Sequence, residues 1–417
     1  MEISGKRAYA LLEKIGFTRI GGTAEELAAA KILMDEVRAM GAPEPALEPF
    51  EIPGGEVHEA LLRVTAPYER EYAVRGYLGA QSTPPEGLEL DFAYGEDLAE
   101  AVLPELRGKA VLTNGRVRSA EMEKLMRAGA AAVITMNGSL YDAPDERDIA
   151  DRSLRERVLE KGNLPAFQLH VCDGFELVRD GACRVHMTLR TEAGTRTSHN
   201  VSVRLAGTDM PEEIISFGAH YDSVMYSKGV YDNGSGSVII MELLRYFVAH
   251  PPRRTMVFNW FGSEEMGLLG SRAWTEAHAD ELERHRVMLN VDVAGPVLGR
   301  ESLLVTGEES LQSYLMGLAR GFGYPISEVR RDVASSDSSS FADKGVPALS
   351  FARGGATGAA FIHDRRDTLA FLSADSLERT SKYVLMYARE LDGSAVFPAA
   401  RTIPDDMRKK LDEYFSR

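Results

Sequence analysis

Cysteine is nearly absent from this chain: 417 residues carry two, Cys172 and Cys183. Two cysteines build no disulfide framework, and their spacing fits no thiolate metal site. Long apolar runs are missing as well, and nothing approaches the roughly 20 apolar residues that a membrane-spanning helix needs. Basic charge is scarce, with 48 Lys and Arg against 63 Asp and Glu, a formal net charge of −15. An acidic surface repels phosphate backbones, so neither nucleic acid nor a membrane is an expected partner. The opening residues, MEISGKRAYALLEKIGF, mix charges into their apolar stretch and offer no small-residue cleavage site. They do not read as a signal peptide, and a cytoplasmic location is the expectation.

What remains is the composition of a soluble globular protein, 44% apolar and 27% charged. The length implies two or three domains and allows a large core. From Thr23 to Met40 the apolar residues Leu27, Ala30, Ile32, Leu33 and Val37 recur at helical spacing, and Gly41 ends the segment. Between 52 and 190, short alternating runs (LLRVTA, EYAVRGYL, LDFAYG, KAVLTN, AAVITMN, RVHMTLR) are separated by Gly, Pro and Asn. One amphipathic helix, SAEMEKLMRAGA, lies among them, with Ser119 its candidate N-cap. From 198 onward EEIISFGAH, TMVFNWFG, VMLNVDV, ESLLVTG and VPALSFA alternate with helical patterns. Such alternation marks an α/β domain. The expected architecture is a mixed, largely parallel sheet flanked by helices, formed by residues 1–51 and 191–417. A β-rich domain at 52–190 interrupts it.

Open parallel sheets bind ligands beyond the carboxyl ends of their strands, so the polar residues there carry the most information. His220 and Asp222 follow the first run, and Asp232 lies in the loop YDNGSG. Glu264 and Glu265 follow the second run, Asp292 ends the third, and His363 and Asp367 follow the last. One carboxylate at one strand end means little. Acid or imidazole at four successive ends concentrates negative charge in one cleft, which costs free energy unless cations sit there. Two histidines and several carboxylates form a nitrogen and oxygen donor set suited to zinc, cobalt or manganese. Of two adjacent glutamates, one can ligate while the other serves as general base to a metal-bound water. Asp222 and Asp367 are placed to accept the second imidazole N–H of His220 and His363. The bland alternatives are a helix cap for Asp232 and a helix-start acid pair for Glu264 and Glu265.

The segments GAHYDS, YDNGSG, SEEMGLLGS, NVDVAG and HDRRDT resemble, in order, the metal-site motifs of the M28 family of co-catalytic zinc metallopeptidases. The stretch containing RGKAVLTNG, RAGAAAVITMN and LPAFQLHVCDG resembles a protease-associated domain, which some members carry as an insertion. The resemblance implies two divalent ions, His220 and Asp292 on one, Glu265 and His363 on the other, with Asp232 between them. It implies Glu264 as the base, Asp222 as its catalytic neighbour orienting His220, and peptides as substrates. Aminopeptidase action is the first reading. Carboxypeptidase or dipeptidase action on the same core is the second, with Arg353 as a candidate anchor for a substrate carboxylate. A cyclase of the glutaminyl type, or a binding protein that has kept the fold, ranks lower, and a homodimer is compatible with the surface. Two positions depart from the family pattern. Ile362 stands where some relatives have a carbonyl-polarising tyrosine, and Ser335–Phe341, SSDSSSF, replaces their Ser-Asp-His. Phe341, Phe351 and Phe361 are read as packing residues before pocket walls.

Overall fold

The computed structural model describes residues 2–324, 329–415 and 417. It divides into two units, Met1–Ile52 with Thr197–Arg417, and Pro53–Arg196. The five apolar runs after residue 198 all form strands of the first unit: β1 (Met210–His220), β2 (Arg254–Phe261), β3 (His285–Val291), β4 (Gly299–Thr306) and β5 (Ala348–Gly355). Their order is β4-β5-β3-β1-β2. β1 pairs in parallel with β2 and β3, and β3 with β5. β4 runs antiparallel to β5, and residues 201–205 run antiparallel to β2.

Side chains along a strand alternate between faces, and here each face has its own apolar cover. Phe217, Phe258, Trp260 and Leu289 join one core with helices α1 (Gly5–Ile15), α2 (Ala24–Ala39), α3 (Ser235–Ala249) and α5 (Ala374–Gly393). Ile214, Val257, Phe261 and Met288 join another with Trp274 of α4 (Leu269–Ala277) and Met407 and Leu411 of α6 (Asp405–Phe415). The charged C-terminal segment is therefore a packed helix. α3, SGSVIIMELLRYFVA, is apolar nearly all round and accordingly almost wholly buried. α1 packs on α5 so closely that a Cβ on Gly5 would lie 1.9 Å from the Ala374 carbonyl oxygen. Phe341 stacks with Trp274 at 5.3 Å, and Phe351 meets Tyr383 and Tyr387, so both serve packing.

In the second unit the strands Leu88–Tyr94, Ala110–Leu112, Ala132–Asn137 and Ala166–His170 are successively parallel. Two helices, Ser119–Ala128 and Val171–Arg179, accompany them, so the unit holds more helix than its alternating runs indicate. The second helix escapes a periodicity reading because it is short and opens directly from the strand before it. Ser119 is not the cap: the helix begins there, its hydroxyl donates to the Arg157 carbonyl, and Glu121 accepts the Arg118 N–H instead. Both crossings between the units fall within strands, Ala46–Ala66 and Arg184–Leu205, so no loop marks them in the sequence. Among the described residues no helix is long and apolar enough to cross a membrane.

Candidate metal centre

Parallel pairing brings the carboxyl ends of β1, β2, β3 and β5 to one edge of the sheet. His220 is the last residue of β1 and is buried. Asp232 occupies a non-helical turn just before α3, and Glu264 and Glu265 follow β2 by three and four residues. Helix α4 begins only at Leu269, so the two glutamates do not sit in its first turn. Ser263, immediately before them, has φ +52°, a left-handed conformation that turns the chain sharply. Asp292 follows β3 directly, and its N–H bonds to the Phe351 carbonyl of β5. His363 lies in the loop beyond β5, also at positive φ.

Two groups of side chains have donor atoms close enough to share an ion: His220, Asp232 and Asp292, and Asp232, Glu265 and His363. Asp232 belongs to both. Its Oδ1 is 3.2 Å from His220 Nε2, and its Oδ2 is 3.1 Å from His363 Nε2. Asp292 Oδ1 approaches His220 Nε2 to 3.6 Å, and Glu265 Oε2 approaches His363 Nε2 to 2.9 Å. Glu264 stands beside this set, its Oε2 3.9 Å from His220 Nε2. The donors suit two hard or borderline divalent ions.

The electrostatics lead to the same fit. Burial pushes the Glu264 and Glu265 carboxyls above their usual range. Burial works against a charged His220, yet Glu264, Asp222, Asp232 and Asp292 together raise its pKa well above that of free imidazole. His363 is likewise raised, to about 10, because Asp232 and Glu265 outweigh its burial. Asp232 is held below the carboxylate range: the two imidazoles overcome its burial.

The surrounding residues hold this arrangement. Asp222, fully buried, lies 3.3 Å from His220 Nδ1 and accepts the N–H groups of Glu264 and Glu265. Asp367 does not serve His363 in the corresponding way. Its carboxylate accepts the N–H groups of Tyr231 and Asp232 and the Ser227 hydroxyl, so it fixes the turn that carries Asp232. The helix-capping role considered for Asp232 belongs to Asn233, whose Oδ1 accepts Gly236 N–H and Val293 N–H. Arg353 is 6% exposed and committed: it pairs with Glu301 at 3.2 Å and donates to the Pro296 and Val297 carbonyls. Ile362 is half-exposed beside His363. Asp337, in the serine-rich segment, is fully buried, and burial pushes its carboxyl up to about 7.

Sequence reasoning missed two further residues. Arg19 is completely buried and donates to the carbonyls of Ile15, Phe17, Tyr221, Lys228 and Gly229, which ties down the loop after Asp222. Glu26, also buried, reaches the serine before Glu264. An arginine flanked by Ile and Thr, and a glutamate in a first helical turn, look like surface residues in sequence. Only their tertiary partners distinguish them.

Comparison with known proteins finds similarity to one peptidase family. Residues 200–388 match the model of peptidase family M28. Aminopeptidase YwaD of Bacillus subtilis (strain 168) is 26% identical over the whole of this chain and 90% of its own length. Among solved structures, BSAP, a zinc aminopeptidase from Bacillus subtilis, superposes with a TM-score of 0.79 at 22% identity, covering 98% of this chain and 99% of its own. An aminopeptidase from Aneurinibacillus sp. strain AM-1 gives 0.72 at 22% identity, covering 95% and 96%. At that identity the two superpositions establish the fold.

Proposed function

We propose that this chain, whose residues 200–388 match the model of peptidase family M28, is a two-metal aminopeptidase that releases N-terminal residues from peptides. The observation that carries the reading is Asp232, one oxygen on His220 and the other on His363. A carboxylate shared in this way joins two three-residue donor sets into one centre. His220 and Asp292 would hold one ion, Glu265 and His363 the other, with Asp232 common to both. Zinc is the metal of choice, in keeping with the donor set and with BSAP, described as a zinc aminopeptidase. When bound, the pair supplies Lewis acidity toward the scissile carbonyl and lowers the pKa of water toward neutrality.

The rest of the chemistry belongs to this chain's own side chains. Glu264 has a side chain only 12% exposed, stands beside the donor sets and is free of the backbone bonds that occupy Asp222, so it is the group to take a proton from the attacking water. It then returns that proton to the leaving amine. Asp222 gives this step its geometry by gripping the Glu264 and Glu265 N–H groups. Acidic groups around the cleft suit a free ammonium terminus. The carboxypeptidase reading loses its candidate anchor, because Arg353 is engaged with Glu301 and two carbonyls. Residues 52–190, most of which fall in the second unit, are read as a protease-associated-like insertion, and the cytoplasm remains the proposed location.

Glu264→Gln tests the proposal. Two zinc ions per chain should be retained while kcat on a free-amine peptide falls by about 10²–10⁴-fold. N-acetylation of the peptide should abolish cleavage, and C-terminal amidation should leave it unchanged. Cleavage that survives N-acetylation but not amidation would overturn the aminopeptidase reading, and a fully active Glu264→Gln would overturn the mechanism.

A further inference from the structure

The turn that carries Glu264 and Glu265 is held on one side by Asp222. Its other side meets a second carboxylate, supplied by the N-terminal helix α2 and lying outside the segment matched to the family. Glu26 Oε2 accepts the Gly22 N–H at 2.7 Å, and its own N–H bonds to Thr23 Oγ at 3.3 Å, so the side chain is fixed at its base. Its Oε1 accepts the Ser198 hydroxyl at 2.7 Å. Ser198 Oγ in turn lies 2.8 Å from Ser263 Oγ, which is itself 3.4 Å from Glu26 Oε1. All three side chains are completely buried.

The backbone closes on this relay. A Cβ on Gly262 would lie 2.6 Å from Glu26 Oε1, and a Cβ on Gly21 would lie 2.2 Å from Ser263 Oγ. Ser263 holds φ +52° without being glycine, a strained conformation that persists only where its surroundings enforce it. The residue so enforced directly precedes the proposed base and ligand, and its conformation sets where those two side chains point. Asp222 grips the peptide N–H groups of this turn, and the Glu26 relay grips its hydroxyl.

The geometry points to Glu26 as a positioning residue for Glu264 and Glu265, acting through Ser198 and Ser263. The inference rests on the aminopeptidase reading above for its kinetic consequence, but not for its effect on metal binding. Glu26 touches neither donor set, so its loss should leave substrate affinity alone and misplace the base. Displacements near 1 Å cost on the order of 10²-fold in rate.

The test uses the full chain with zinc, as wild type, Glu26→Ala and Glu26→Gln. Readouts are hydrolysis of a free-amine aminoacyl anilide, zinc affinity against a competing chelating dye, and thermal unfolding. Glu26→Ala should fold, lower kcat by about 30-fold or more, and leave KM within about twofold. One of its two zinc-binding steps should weaken by about 10-fold while the other is unchanged. Glu26→Gln should recover most of both losses, since its amide can accept from Gly22 and bond to the serines. A folded Glu26→Ala with unchanged kcat and zinc affinity would overturn the inference, as would a glutamine variant no better than alanine. Should Glu26→Ala fail to fold, Ser198→Ala, which removes the two short links of the relay and leaves only the 3.4 Å approach of Ser263 to Glu26, is judged by the same kcat and zinc-affinity criteria. A wild type that binds zinc but cleaves nothing would refute the enzyme reading, and the zinc arm would still decide the role of Glu26.

Discussion

Replacing Arg353 by methionine removes the cation from a buried ion pair while keeping most of the side chain's volume. Arg353 and Glu301 have side chains only 7% and 4% exposed. Breaking such a pair costs about 3–5 kcal/mol, because the remaining charge stays buried. Glu301 would retain the Thr380 hydroxyl at 3.1 Å and Arg379 at 4.0 Å, which favours the low end of that range. The Pro296 and Val297 carbonyls would each lose a donor, worth about 1 kcal/mol apiece where water does not replace it. The expected loss is about 4 kcal/mol, or a melting temperature lower by about 10 °C in a unit of this size. Burial already pushes the Glu301 carboxyl up against the pull of Arg353, so in the variant it gains a proton more readily. The deficit should therefore widen as pH rises. Melting curves of the zinc-loaded protein at several pH values measure the loss, and Glu301→Gln in the same chain should recover more than half of it. Peptidase assays on peptides with free and amidated C-termini measure function, and the ratio of the two rates should match wild type. An unchanged melting temperature, or activity lost only on free carboxylates, would refute the structural assignment of Arg353.

Other predictions concern the braces and the metals. Glu26 has a carboxyl pKa raised by burial from 4.5 to about 7. The native state therefore holds a proton that the unfolded chain releases. This contribution is complete below the unfolded value and lost as pH rises through 7, up to about 3 kcal/mol. Urea unfolding of wild type and Glu26→Gln from pH 5 to 8.5 should show a difference that grows in the variant's favour with pH, and parallel curves would refute it. Gly262→Ala should destabilise by about 2 kcal/mol or more, since its Cβ would lie 2.6 Å from the His199 carbonyl oxygen as well as Glu26. A soluble variant with wild-type melting would count against the packing described. Zinc at about 100 times its Kd should stabilise the fold by about 2.7 kcal/mol per site. Chelation should remove that gain, and Asp232→Asn should make the melting temperature nearly indifferent to both treatments.

The site was readable because polar residues interrupt apolar runs. His220, Asp292 and the Glu264–Glu265 pair each follow several buried strand residues, and a parallel sheet gathers such interruptions at one edge. The same logic stops at the loops. Asp367 lies four residues from His363, which in a helix would bring them together, but the segment is a turn and the carboxylate bonds to Tyr231 and Asp232. Asn233 looks like a neighbour of Asp232 in sequence, yet it takes the capping bonds that Asp232 leaves. Arg19 and Glu26 lie some 200 residues from the loops they hold, and no local pattern records such a contact. Helix Val171–Arg179 is too short, and too close to the strand before it, to show a period, and the start of Ser119–Ala128 is decided by hydrogen bonds at its first turn.

The packing of α1 on α5 sets a timetable for the growing chain. Gly5 donates its N–H to Glu378, 373 residues further along. At about 5–20 residues per second, α5 follows α1 out of the ribosome after roughly 20–75 s. Over that interval the buried α1 residues Leu11, Leu12 and Ile15 lack the α5 part of the core they join, while residues 53–196 are complete and hold all the buried residues of their own core. Helix α1 thus waits for partners made much later, and the two acidic braces of the catalytic turn, Glu26 early and Asp222 late, meet only once more than half of these residues exist.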